Sequence, residues 1–212
     1  MNRRMQGDIR WRRARGDSLC GRPQPYVWAR RAFTLVELLI VLAMLSIVAA
    51  MGLPRINSAR YKADAAAQLA RTLLQNAQRE AITRQSNVIF SIDTATQRFR
   101  VVQDYNNNDT LNASDRVVWR HLEEGTRFAA PPMGRVGGGT LGVPYAGSAL
   151  RVVSSLPGVI YRRDGSASSD IEIYVTMRVN VVTEYRAILV APATGRVDMF
   201  RYTGSAWARA TP

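Results

Sequence analysis

The sequence predicts an α+β protein in which a long N-terminal helix, apolar through its first half and amphipathic in its second, packs on an antiparallel β-sheet domain. Three observations predict it. Residues 33–53 form an apolar run whose single charge is Glu37. Beyond Pro54, the apolar residues Ala66, Leu69, Ala70, Leu73 and Ala77 recur at helical spacing on one face, with Arg71, Gln75, Gln78 and Arg79 directed elsewhere. After Gln85 the period falls from about 3.6 residues to 2, which is the period of strands. A chain of 212 residues with 47% hydrophobic content holds one ordinary core, so the prediction is a single globular domain with appendages, divided as 1–32, 33–53, 54–86 and 87–212.

Residues 1–32 are a basic arm. Its nine arginines stand against Asp8 and Asp17, a net of +7, which leaves +6 of the chain's +13 for residues 33–212. The total charge suggests a nucleic-acid binder, but about half of the excess is confined to this short arm, which argues against one. Arginine, glycine and proline without apolar periodicity predict no fold for it. The only cysteine, Cys20, lies here, so an internal disulfide, a paired-cysteine metal site and a cysteine–histidine nucleophile pair are all excluded.

The run 33–53 has 21 residues and at about 1.5 Å of rise each reaches about 31 Å, enough to cross a bilayer. Arg30 and Arg31 before it predict a cytoplasmic arm and a far-side location for everything after Pro54. Glu37 is then a puzzle, because a carboxylate within a span costs about 3 kcal/mol on insertion scales. A plain signal anchor leaves it unexplained. So does a signal peptide that exits at IVAAM, where Val48 and Ala50 are small enough for a signal peptidase. A cut between Ala32 and Phe33 explains it: the run is kept, Glu37 becomes the fifth residue of a new N-terminus, and its carboxylate can neutralise an amine between neighbouring subunits.

The stretch RRA followed by FTLVELLIVLAMLSIVAAMGLP resembles the class III signal of type IV pilins and type II secretion pseudopilins. The resemblance implies cleavage by a prepilin peptidase before Phe33, methylation of the new Phe33 amine, and an assembly role for Glu37. Pro54, twenty-second from Phe33, falls where this family tends to carry a helix-bending proline. Ala32 departs from the usual glycine before the cut, and as the next smallest residue it predicts slower or normal cleavage. Leaders in the family are usually short, which predicts a translation start at Val27 and a six-residue leader VWARRA; the alternative is a long leader discarded on cleavage. In cells lacking the peptidase the precursor should begin at or near residue 27, and peptides containing Trp11 or Cys20 would contradict this.

Pro54 removes a backbone donor and loosens the helix, but the helical pattern resumes and predicts helix over about 33–84. The segments NVIFSID, QRFRVVQD, RVVWRHL, GVIYRRDG, DIEIYVTM, RAILVA and GRVDMFRY read as short strands. Between them DTATQ, RRDGSASSD and APATGR suit antiparallel hairpins rather than βαβ crossovers. The succession YRRDGSASSD, IEIYVT and RAILVAPATGRVDMF is similar to the GspH/FimT family of minor pseudopilins, in which a Thr-Gly-Arg step, here Thr194, Gly195 and Arg196, opens the last strand. The two resemblances leave the arm and residues 129–149 without a counterpart.

Residues 104–115, DYNNNDTLNASD, place Asp104, Asn106, Asn108 and Asp115 at calcium-loop spacing. Asp109 occupies the place where such a loop needs glycine, and Asp115 the place of a bidentate glutamate, so the reading is a solvated hairpin loop and no metal is favoured. GGGTLG, 137–142, satisfies a dinucleotide fingerprint in letters only: Val143 and Pro144 follow it instead of a helix, and a flexible insertion is expected. His121 is expected at a partly exposed strand end. Glu123 and Glu124 read as a solvated strand end, and no acid, base and nucleophile set can be assembled, so neither an enzyme nor a cofactor is expected.

What the resemblances imply is a minor pseudopilin of a bacterial type II secretion system, single-pass in the inner membrane with a periplasmic C-terminal domain, then part of a pseudopilus. Its implied partners are other pseudopilins, major and minor, the inner-membrane assembly platform and the prepilin peptidase. The rival is a FimT-like minor pilin of a type IV pilus that binds DNA during uptake, with Arg196, Arg201 and Arg209 on phosphates and Trp207 as a stacking ring.

Overall fold

The structure is a computed structural model that describes residues 33–52 and 58–210. The basic arm with Cys20, Val27 and Ala32, and also Leu53 and Pro54, lie outside the described residues. Among those described, two α-helices, a 3-10 turn and eleven strands follow one another along the chain.

Helix α1 (Leu35–Gly52) begins two residues into the apolar run because Thr34 caps it. The Thr34 carbonyl accepts the first intrahelical bond from Leu38 N–H at 3.2 Å, and its Oγ1 accepts from Glu37 N–H at 3.2 Å, so one of the four donors a helix start leaves open is satisfied by the cap. The expected span of 21 residues is thus met by a helix of 18, about 27 Å long. Among the described residues no helix is long and apolar enough to cross a membrane.

Helix α2 (Ser58–Arg84) belongs to a separate compact unit. It buries Ala59, Ala63, Ala66, Ala67, Ala70, Leu74, Ala77 and Ala81, a stripe of mostly alanine that lets the helix axis come close to the sheets while keeping the best helix-forming residue. Ala66, Ala70 and Ala77 are as the periodicity predicts; Leu69 and Leu73 are only half-buried, because the stripe centres on Ala67 and Leu74 and the two leucines flank it. Gln85, at φ +53°, takes the left-handed turn that ends the helix.

The strands form two antiparallel sheets. The first contains β1 (Asn87–Asp93), β2 (Arg98–Asp104), β3 (Arg116–His121), β6 (Arg151–Val153) and β7 (Leu156–Tyr161), in the order β3-β2-β1-β7-β6. The second runs β11-β10-β9-β8-β4, with β5 also on β8; these are β4 (Arg127–Phe128), β5 (Tyr145–Ala146), β8 (Ile171–Thr176), β9 (Arg186–Val190), β10 (Val197–Tyr202) and β11 (Trp207–Arg209). All seven strands read from the sequence are present. The four others are two or three residues long, too short to show a period.

DTATQ and APATGR make hairpins as predicted, with Asn87 opposite Asp104 and Val197 opposite Val190. RRDGSASSD does not. It joins β7 to β8, which lie in different sheets, and Ala167 marks the crossing: it bridges Tyr161 of the first sheet while its N–H donates to Pro192 O in the β9–β10 turn at 2.8 Å. The main core gathers the alanine stripe with residues of both sheets, including Phe90, Phe99 and Phe128, whose rings meet at 5.4 and 5.1 Å. A smaller cluster of Ile89, Val102, Val153 and Ile160 lies apart from it, with Leu111 of the 104–115 loop packed against it. Covered on both faces, β1 is buried at every residue.

Candidate functional site

In α1 the described side chains are apolar on every side of the helix, and residues 33–49 are all exposed. A helix of this kind is not finished as it stands, since an all-round apolar surface is stable only inside protein or lipid. Its few polar groups divide sharply. Thr34 caps the helix. Ser46 Oγ donates to the Leu42 carbonyl at 2.8 Å, which satisfies the hydroxyl within its own helix. The Glu37 carboxylate has no hydrogen-bond or ion-pair partner among the described residues. Phe33 stands exposed one residue before the cap.

Glu37 occupies the third position of the helix behind a threonine cap. The Thr-x-x-Glu signature is legible in TLVE, and sequence reasoning overlooked it. There a carboxylate meets the positive end of the helix dipole, worth about 0.3–1 kcal/mol. That falls short of the roughly 3 kcal/mol that an apolar environment costs it. If α1 is to be buried, Glu37 needs a positive partner from elsewhere.

The Thr194-Gly195-Arg196 step has a mechanical reason. Gly195 sits at φ +62°, and a Cβ there would lie 2.3 Å from Gly165 O and 2.5 Å from Gln78 Nε2. Gln78 Nε2 donates to Gly165 O at 2.8 Å and to Thr194 O at 2.7 Å, so one amide of α2 ties down the turns that follow β7 and β9. Gln78 was read from sequence as pointing away.

Residues 104–115 form a self-bonded loop. Asp104 Oδ2 accepts from Asp109 N–H at 2.7 Å, Asn106 Oδ1 from Asn108 N–H at 3.2 Å, Asn108 Oδ1 from Thr110 N–H at 3.0 Å, and Asp115 from the amides of Tyr105 and Asn112 at 3.3 and 2.8 Å. The loop thus engages Asp104 Oδ2, Asn106 Oδ1, Asn108 Oδ1 and both Asp115 oxygens, while Asp104 Oδ1 is buried without a hydrogen-bond partner among the described residues. His121 ends β3 exposed, and Glu123 and Glu124 are exposed just beyond it.

Residues 137–142, expected as a flexible insertion, lie between segments that the second sheet holds in place. Arg135 reaches across to buried Glu172 at 3.0 and 3.3 Å, Val136 N–H donates to Tyr174 Oη at 2.9 Å, and β5 pairs with β8. Tyr174 Oη donates in turn to Glu172. Burial, aided by that hydrogen bond, holds the phenol well above its ordinary range, so it remains a donor. Trp207 is fixed as well: its Nε1 donates to Gly134 O at 3.1 Å and its ring meets Tyr174 and Tyr202 at 5.6 and 5.3 Å. Arg196 and Arg209 both pair with Asp198, the first at 2.9 Å. Of the three arginines considered for phosphate contacts, only Arg201 has no ion-pair partner among the described residues.

With this geometry in view, the prokaryotic N-terminal methylation motif matches residues 29–53, which speaks for the N-terminal segment alone. No curated protein matches the chain. Among solved structures, the minor pseudopilin EpsH from the type 2 secretion system of Vibrio cholerae is similar at 13% identity and a TM-score of 0.42, over 66% of this chain and 97% of that one. A likeness that loose carries no weight in assigning a role.

Proposed function

We propose that the chain is a minor pseudopilin of a bacterial type II secretion system, with a type IV pilin-like fold. It is cut between Ala32 and Phe33 by a prepilin peptidase and methylated on the Phe33 amine. The segment 33–53 first holds it in the inner membrane, with the β-rich unit in the periplasm, and then packs among other pseudopilins as the assembly platform extrudes them. Glu37 neutralises an amine within the assembly, and Pro54 lets the helix loosen as it leaves the bilayer. The supporting observation is one carboxylate without a partner among the described residues, on an exposed and otherwise almost wholly apolar helix, inside the segment that matches the methylation motif. No step calls for catalysis by this chain.

Glu37→Ala tests the reading. Removing the charge eases membrane residence by about 3 kcal/mol, yet crosslinking to other pseudopilins should be lost. Crosslinking at wild-type level in this variant would remove Glu37 from assembly. The DNA-binding reading has less to stand on, since two of its arginines are paired with Asp198 and Trp207 is packed against two tyrosines.

A further inference from the structure

A cavity of about 470 Å³ opens between the first turns of α2 and the ladder of β9 and β10. Arg60, Tyr61 and Asp64 line it from the helix, Arg186 from β9, and Arg201 and Tyr202 from β10. Arg186 and Arg201 are directly opposite in the antiparallel register, where like charges repel. Asp64 pairs with Arg186, whose Nη1 also donates to the carbonyls of Thr183 and Tyr185 at 3.0 and 3.1 Å. Arg60 comes no closer than 3.5 Å to Thr183 Oγ1. The neighbouring carboxylates are already engaged: Glu184 by Arg178, Asp198 by Arg196 and Arg209. Three guanidinium groups therefore share one carboxylate, and the fold holds an excess of two positive charges around a cavity.

Arg60 and Arg201 are exposed and so open to an incoming oxyanion, and guanidinium forks match phosphate oxygens in geometry as well as charge. Two tyrosines flank the charges, Tyr61 with 71% of its surface exposed, and amphipathic rings of this kind settle at the headgroup level of a bilayer. Arg60, Tyr61 and Lys62 are consecutive and begin eight positions after the last residue of α1. We propose that this cavity binds the phosphate of an anionic phospholipid headgroup before assembly. The proposal rests on the pseudopilin reading for the presence of that membrane.

The test uses the full chain in detergent, observed by native mass spectrometry with dihexanoyl phosphatidylglycerol, dihexanoyl phosphatidylcholine or inorganic phosphate added. One phosphatidylglycerol should bind per chain about tenfold more tightly than phosphatidylcholine, and inorganic phosphate more weakly than either. Arg60→Gln with Arg201→Gln should abolish the preference, while Arg196→Gln keeps it. Equal binding of the two lipids, unchanged preference in the double variant, phosphate binding as tight as phosphatidylglycerol, or displacement of the lipid by a single-stranded oligonucleotide would each overturn the proposal. Fractionation of cells that express the full chain separates the two failures. A chain outside the membrane fraction contradicts the pseudopilin reading and removes the lipid source, whereas a membrane-bound chain without headgroup preference contradicts the cavity alone.

Discussion

At Glu37 two effects of different size act on one carboxylate, a dipole gain of at most about 1 kcal/mol and a burial cost of about 3 kcal/mol. They can be separated. Thr34→Ala removes the cap and should cost the helix start about 1 kcal/mol, seen as faster amide exchange at Leu35 to Leu38, while crosslinking to partners persists. If Thr34→Ala abolished crosslinking as Glu37→Ala should, the carboxylate would be serving the cap and not the assembly. Gly195 is the second residue whose letter carries a physical requirement. Gly195→Ala meets both a positive φ and a carbonyl 2.3 Å away, so it should destabilise by about 2–4 kcal/mol in chemical denaturation. Gly142→Ala, with nothing within 4 Å, should stay within about 0.5 kcal/mol. Asp93 supplies a pH signature: the Thr96 hydroxyl, then the amides of Thr96 and Ala95 and the charge of Arg98, hold its carboxyl below the usual range against the effect of burial. The folded state thus binds the proton less readily than the unfolded one. The stability gained is complete above the ordinary carboxylate range near pH 4 and is lost as pH falls through the lower folded-state value. Asp93→Asn should lower the melting temperature at pH 7, and the gap to wild type should close in acid; a gap that stays constant would contradict this.

Among the elements, the sequence was most legible where a period had room to repeat. α2 ends at Arg84 as read, and β1 occupies NVIFSID residue for residue. It was least legible where contacts come from far along the chain. The tie of Gln78 to two turns more than 80 residues away has no local signal. Neither has the docking of 129–149 on β8, because glycines, prolines and arginines read as loop whether or not Glu172 awaits one of them. RRDGSASSD has the composition of a hairpin turn, and only the second sheet reveals that the chain crosses over. The Arg135 contact makes this loop testable. Arg135→Ala leaves Glu172 buried with the Tyr174 hydroxyl as its remaining side-chain partner, which should cost about 2–3 kcal/mol and expose 129–149 to limited proteolysis. A cleavage pattern identical to wild type would mean that the loop is held by β5 pairing alone.

For the whole molecule, the candidate site was legible almost entirely in sequence, since Glu37 announces itself as a charge in an apolar run and the motif around it is local. The structure adds what the letters could not: among the described residues the Glu37 carboxylate has no partner while Ser46 is satisfied, and Arg196 and Arg209 share the single carboxylate of Asp198. Both the apolar helix and the folded β-rich unit then fit a subunit whose chemistry is assembly. The central claim is that the apolar run is retained behind a new N-terminus. Intact-mass measurement of the protein extracted from membranes should find a chain that begins at Phe33 and carries one methyl group on its amine. A mature chain beginning at Met51, with the run and Glu37 cut away, would contradict it.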